Sequence, residues 1–473
     1  MAEASSLLAN IFERARRLEA SATYPKAYSA CLSFQWQSRN QGSLDLYEVS
    51  HKRNSSKILI EERSLTWINL HDDLHFLKKD QSFIWTSERS GFNHIYHVRD
   101  EKLTQLTKGD WPVSEVVSVD EKNGWIYFTG WIESPLEKHL YRIPLSGGPP
   151  KQISKRPGWH NITFSKDNSH YLDSYSNDKQ PTQVSLHRAD GTLLDYLLEN
   201  KLDDKHPLAP FLDDWIDPVY GSLKAEDGTD LHYKVYKPNT PMPESGYPAV
   251  FYVYGGPISQ RVRRSWTRRN LWAQYLLQKG YAFFILDNRG TANRGKDFEN
   301  LIYKRLGDIE LKDQLVGANW LKEQDWVDGS RLGIHGHSYG GYLTLMAMFR
   351  ADDVFSCGVA GASVTDFRFY NTHYTERYLS TPQDNPKGYA ASSVLNYTDG
   401  LKGDLLLYHG MADDNVLFKN TTMLMSKLQQ EGKLFELSAY PGAKHGISGS
   451  KNQLHLFRTI EDFFDRKIGS RSN

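Results

Sequence analysis

The sequence predicts a chain of mixed fold class: an all-β, propeller-like repeat region followed by an α/β domain. Three observations carry this. From about Cys31 to Asn200, four units of roughly 40–45 residues can be laid over one another. Beyond about residue 220, short apolar strands alternate with helical patterns, the mark of a doubly wound, mainly parallel sheet. Between the two, residues 201–220 mix charge with proline (Asp203, Asp204, Pro207, Pro210, Asp213, Asp214, Pro218) and read as a linker. These shifts divide the chain into a helical extension (1–29), a partial propeller (30–205) and an α/β catalytic region (206–473).

Composition narrows the function classes. A chain of 473 residues is long enough for two or more domains with ample core. Lys plus Arg and Asp plus Glu number 57 each. That balance gives no basic surplus for nucleic acid and no acidic solvating tail. The two cysteines, Cys31 and Cys357, fall in different parts, which argues against a disulfide framework or a cysteine metal site. Each reads as a small buried hydrophobe. Met1 to Ala20 reads as an amphipathic helix, because Asn10, Glu13, Arg14, Arg16 and Arg17 break up any signal-peptide core. No run approaches the 18 or so apolar residues needed to span a bilayer, so the expectation is no membrane and a cytoplasmic location.

Each repeat carries a matching strand: Leu46–Val49, His94–Val98, His139–Ile143 and Val184–Arg188. After the last three comes a turn and another strand, at Leu103–Thr107, Lys151–Ser154 and Thr192–Asp195. Period and strand content fit propeller blades, with a pair of β-sandwiches as the alternative. Four blades form either a minimal ring or half of a larger one. The Trp and Tyr residues of the repeats read as blade packing. His71 to His75 reads as a polar loop rather than a metal cluster, and Glu88 with Arg89 as an ion pair within a blade.

The second part opens with a hairpin, Tyr220–Lys224 and Leu231–Tyr236. Strands follow at 249–254, 282–287, 332–335, 357–360, 405–409 and 435–440, with helices near 266–279, 308–323, 340–349, 417–431 and 452–465. Arg289 to Gly295 lacks the glycine spacing of a dinucleotide fingerprint. The chemistry centres on Leu332 to Met348, which reads as strand, tight turn and helix. At the turn lies Gly336-His337-Ser338-Tyr339-Gly340, a Gly-x-Ser-x-Gly pattern that holds a serine hydroxyl clear of the sheet. A Cβ at either glycine would collide with a neighbouring strand or helix.

A serine nucleophile needs a base and an orienting acid, and in this fold type they follow in the order Ser, acid, His. Asp413 follows the strand ending near His409, and His445 follows the strand ending at Tyr440. Both sit at carboxyl ends of strands, where open α/β sheets place their sites. Asp414 is the rival acid. The oxyanion requires donors aimed in advance. The backbone N–H of Tyr339 is one, and the Tyr254 hydroxyl in Val253-Tyr254-Gly255-Gly256-Pro257 is a second.

These motifs together resemble the prolyl oligopeptidase family of serine peptidases, in particular its dipeptidyl peptidase IV branch. The resemblance covers about residues 30–465 and is dense at Phe83–Arg89, Val253–Pro257, Gly336–Tyr342, Tyr374–Tyr378 and His409–Val416. It implies an α/β-hydrolase domain capped by a β-propeller, and removal of N-terminal dipeptides with Pro or Ala second. By motif, Ser338, Asp413 and His445 resemble the triad, and Tyr254 the oxyanion tyrosine. Val364, Tyr370, Tyr374 and Val416 resemble the wall that stacks on the proline ring, and Asn415 the contact to the substrate carbonyl. No metal or cofactor is implied, and a homodimer is a possible assembly.

Three departures stand out. The family holds the substrate amine with adjacent glutamates in an earlier propeller segment that has no match here; Glu61-Glu62 lies in a later blade without that motif. The family propeller has about twice as many blades, so the chain resembles a member whose propeller lacks its N-terminal half. His337 stands where the branch usually has Trp, at a side chain not expected to touch the chemistry. The leading expectation is a serine dipeptidyl peptidase. The alternatives are a broader aminopeptidase, oligopeptidase or esterase, or a non-catalytic propeller scaffold.

Overall fold

The computed structural model describes residues 31–50, 55–70, 72–80 and 82–469. The expected N-terminal helix and His71 lie outside the described residues. Four antiparallel sheets succeed one another from Cys31 to Leu198, with three, four, four and four strands. The repeated sequence segments occupy equivalent strands: Ser43–Ser50, His94–Arg99, His139–Pro144 and Gln183–Arg188. Each of the first three joins between sheets is filled with apolar side chains. Leu46, Ile60, Phe83 and Trp85 fill the first, Ile84, Val116, Phe128 and Tyr141 the second, and Tyr127, Leu140, Ile162 and Tyr171 the third.

A repeated polar device locks the middle blades. Thr107 Oγ1 accepts the Ile95 N–H at 2.9 Å and lies 3.0 Å from His94 Nδ1. Ser154 Oγ does the same for Leu140 N–H and His139 Nδ1, at 2.9 and 3.0 Å. Each buried hydroxyl thus accepts from the backbone and donates to the ring, so the hydroxyl and the ring nitrogen satisfy one another.

Two readings of this region are corrected. Arg89 does not pair with Glu88; it reaches Glu62 at 2.7 Å, while Glu88 accepts from Asn69 Nδ2. Trp67 does not pack a blade. Its ring meets Tyr378 edge-on at 4.9 Å and it lies in the core of the second part.

Residues from Val219 onward form one eight-stranded sheet. Its order is Val219–Lys224, Asp230–Tyr236, Ala282–Leu286, Tyr247–Val253, Val327–His337, Cys357–Gly361, Asp404–Gly410, Glu436–Tyr440. The first two strands pair antiparallel and the last six run parallel. The strand expected at 332–335 begins five residues earlier, at Val327. Its polar start, Asp328-Gly329-Ser330-Arg331, hides it from a hydrophobicity reading, and a register shift opposite Tyr247–Ala249 absorbs that segment. Cys357 is free and buried in the sheet.

The blades rest on the α/β layer through specific bonds. Arg39 grips Glu376 with two bonds of 2.7 Å, and Gln41 accepts from Arg377 and donates to His373 O, each at 2.6 Å. These contacts fix the helix Thr372–Leu379, which carries Tyr374. Among the described residues no helix is long and apolar enough to cross a membrane.

Candidate active site

Sheet register alone brings the candidate residues together. Val253 lies opposite Gly336, His337 opposite Gly361, Gly361 opposite Tyr408, and Gly410 opposite Tyr440. The loops after these strands therefore start at one level, and they carry Tyr254, Ser338, Val364, Asp413 and His445.

Ser338 occupies φ 63°, ψ −121° between strand Val327–His337 and helix Tyr339–Arg350. A side chain at such a φ is strained by about 1–3 kcal/mol and persists only where its surroundings over-determine it. Here they do. Ser338 N–H donates to Gly361 O at 2.8 Å, and Ser338 O accepts from Tyr342 N–H at 3.0 Å. A Cβ on Gly336 would stand 2.1 Å from Gly340 O, and one on Gly340 2.2 Å from Val253 O. Only glycine lets strand and helix approach this closely.

The side chains on either side of Ser338 locate it. The His337 ring lies 4.8 Å from the His445 ring, centroid to centroid, and the Tyr339 ring 6.2 Å from that of Tyr254. The residues on either side of the serine thus contact the candidate base and the candidate oxyanion phenol. His337, expected to stand clear of the chemistry, lies in ring contact with the candidate base. Tyr339 opens its helix, so its N–H has no intrahelical acceptor. Burial pushes the Tyr254 phenol up, against the Arg261 guanidinium 4.2 Å over its ring. The phenol therefore keeps its proton and can donate it in a hydrogen bond.

Asp413 is buried, and four N–H groups converge on it. His445 Nδ1 lies 2.7 Å and His409 Nε2 3.0 Å from Oδ2. The backbone N–H groups of Asn415 and Val416 donate to Oδ1 at 2.9 and 3.0 Å. Because His445 Nδ1 faces a carboxylate it carries the proton, which leaves Nε2 with a lone pair. Asp414 points elsewhere, to Lys444 at 2.5 Å, and is exposed.

Sequence reasoning gave no role to His409 or Glu310. His409 Nε2 faces two acceptors, Asp413 Oδ2 and Val416 O at 2.8 Å, so it must be the protonated nitrogen; Nδ1 then accepts the Thr421 hydroxyl at 2.7 Å. Burial pushes this ring down, so it stays neutral. Glu310 lies beneath Tyr339. Its Oε1 accepts the Tyr339 hydroxyl at 2.6 Å and the Gly307 N–H at 2.9 Å, and burial pushes its carboxyl up to about 7. The signal for His409 was its place four residues before Asp413 at a strand end; Glu310 had none.

The expected pocket wall is assembled in part by contact. Tyr370 and Tyr374 meet edge-on at 5.2 Å, and Tyr374 meets Tyr378 at 4.9 Å. Tyr370 donates its hydroxyl to Asn415 Oδ1 at 2.9 Å. Val364 and Val416 are buried in the same core. Glu61 and Glu62 are committed elsewhere: Glu61 pairs with Arg63, and Glu62 accepts from Trp85 Nε1 and Arg89.

Comparison with known proteins identifies the family. Residues 267–471 match the prolyl oligopeptidase family, and residues 12–182 match the dipeptidyl peptidase IV N-terminal region. The chain belongs to the prolyl oligopeptidase family. It is 33% identical over 463 residues to dipeptidyl peptidase 8 of Homo sapiens, covering 88% of this chain and 51% of that protein. It is 33% identical to dipeptidyl peptidase 4 of Trichophyton tonsurans, over 81% of this chain and 51% of that one. Among solved structures, dipeptidyl peptidase 4 of Porphyromonas gingivalis superposes with a TM-score of 0.86 at 31% identity, over 93% of this chain and 62% of its own. The chain spans about half the length of these curated relatives. The likeness within the family is to its dipeptidyl peptidase IV branch, with a propeller-like first part and an α/β second part.

Proposed function

We propose that the chain is a serine peptidase that releases N-terminal dipeptides, Xaa-Pro or Xaa-Ala, through an acyl-enzyme. The observation that carries this reading is the position of Ser338 on its strained turn, flanked by side chains touching His445 on one side and Tyr254 on the other. Ser338 Oγ attacks the carbonyl carbon of the second residue while His445 Nε2 takes its proton. Asp413 holds the Nδ1 proton and stabilises the imidazolium that forms. The Tyr254 hydroxyl and the Tyr339 N–H take the developing oxyanion. His445 then returns the proton to the leaving amine, and water repeats the sequence to free the dipeptide. Tyr370, Tyr374, Val364 and Val416 offer an aromatic and aliphatic box suited to a proline ring, with Asn415 for the peptide carbonyl.

A second reading within the enzyme class rests on Glu61 and Glu62. Both carboxylates already have cationic partners, Arg63 and Arg89, which compete with a substrate ammonium. A peptidase with no strict demand for a free amine would follow. The test of the nucleophile is labelling with a fluorophosphonate probe and mapping of the adduct. A single adduct on Ser338, lost in Ser338→Ala and strongly slowed in His445→Ala, is expected. Labelling unaffected by Ser338→Ala would overturn the assignment.

A further inference from the structure

We propose that His337 and His445 together form a binding site for one divalent transition-metal ion of the zinc type, and that filling it blocks the serine chemistry. The inhibition rests on His445 being the general base; the binding does not. The two rings are 4.8 Å apart between centroids with planes inclined at 51°. Two imidazoles on one tetrahedral ion, with metal–nitrogen bonds of about 2.0–2.1 Å, have ring centres about 5 Å apart.

Each ring is already anchored through one nitrogen. His445 is held at Nδ1 by Asp413, and His337 Nδ1 lies 3.2 Å from the Tyr408 hydroxyl. Histidines that bind metals are characteristically fixed in this way, the far nitrogen held by a carboxylate or another hydrogen-bonding partner. Nε2 is the nitrogen left on both rings, and among the described residues neither Nε2 makes a hydrogen bond. Water or the Ser338 hydroxyl would fill the remaining positions.

The surrounding charges favour an ion here. The Asp413 carboxylate supplies a negative charge behind His445. Lys444 is turned to Asp414, and the Arg269 guanidinium lies over Tyr252 at 4.9 Å. Imidazole donors suit Zn²⁺, Cu²⁺ and Ni²⁺ and discriminate against Mg²⁺ and Ca²⁺. The site depends on His337: an indole at that position offers only an N–H donor and no lone pair for a metal.

A metal on His445 Nε2 occupies the atom that must accept the serine proton. The experiment uses the untagged full chain, His337→Phe and His337→Gln, each checked for folding by circular dichroism. Zn²⁺ binding is measured by calorimetry, and inhibition of Gly-Pro-anilide hydrolysis is scored against each protein's own metal-free rate. Removing one of two ligands is expected to raise the half-inhibiting zinc concentration by about 10–100-fold or more. One calorimetric site should disappear from both variants, EDTA should restore the wild-type rate, and Mg²⁺ should have no effect. Equal zinc binding by wild type and both variants would overturn the proposal, as would equal inhibition. Loss of the binding site in both variants from a wild-type chain that cleaves no substrate would uphold the metal site and refute the peptidase reading.

Discussion

Glu310 is a carboxyl the fold has cut off from water directly beneath Tyr339, the residue that follows Ser338. It is fully buried, its Oε1 takes two hydrogen bonds, and its Oε2 has no partner among the described residues. Burial raises its ionisation from 4.5 to about 7. Between those two pH values the native chain holds a proton that the unfolded chain has lost. Stability therefore falls as pH rises from about 4.5 to about 7, and stays reduced above. At 1.36 kcal/mol for each tenfold change in proton affinity, the loss is about 3 kcal/mol. In Glu310→Gln the amide oxygen can keep both hydrogen bonds and no charge forms. The variant should match the wild type near pH 4.5 and be up to about 3 kcal/mol more stable at pH 8. Urea unfolding of both proteins at half-unit pH steps isolates this group, because other titrations cancel in the difference. A difference independent of pH, or a variant less stable than wild type at pH 8, would refute the reasoning.

Further expectations follow from the same geometry. Asp413→Asn should lower kcat by about 10³–10⁴-fold while substrate affinity changes little, because the amide favours the wrong His445 tautomer; single-turnover kinetics separates the two effects. His409→Phe removes one of four donors to the buried carboxylate and should cost about 1.5–3 kcal/mol of stability, with a smaller fall in kcat than Asp413→Asn. Gly340→Ala should abolish activity, since the new methyl would stand 2.2 Å from Val253 O; a variant with wild-type turnover contradicts the close-approach argument. The outer strand Leu193–Leu198 exposes Leu193, Leu194, Leu197 and Leu198, on both of its faces. Unpaired apolar edges promote association, so Leu194→Lys with Leu197→Lys should reduce concentration-dependent self-association in sedimentation velocity without changing turnover.

Local signals explain most of what the sequence made legible. The turn at Ser338 needs strand, glycines and helix within a dozen residues, all visible as a string. Asp413 and His445 were singled out because chain order and strand ends restrict the choice, and it is Asp413, not Asp414, that is bonded to His445. The blades were legible because their strands recur at a fixed period. What stayed hidden depends on register between distant segments. His409 supports Asp413 only because the loop folds back on its own strand end. Glu310 reaches Tyr339 from the helix Ile309–Lys322 across 29 residues of sequence. His337 meets His445 because two strands end at one level, which no periodicity reports. Trp67 looked like a blade aromatic, yet it packs against Tyr378 at the join between the two parts.

The most direct test of the central claim compares Gly-Pro-anilide with its N-blocked form, using Ser338→Ala as control. The account predicts cleavage of the free-amine substrate, abolished in Ser338→Ala, with the blocked substrate cleaved far more slowly. Equal cleavage of both would keep the serine mechanism and contradict dipeptide release. Cleavage that persists undiminished in Ser338→Ala would contradict the account at its root.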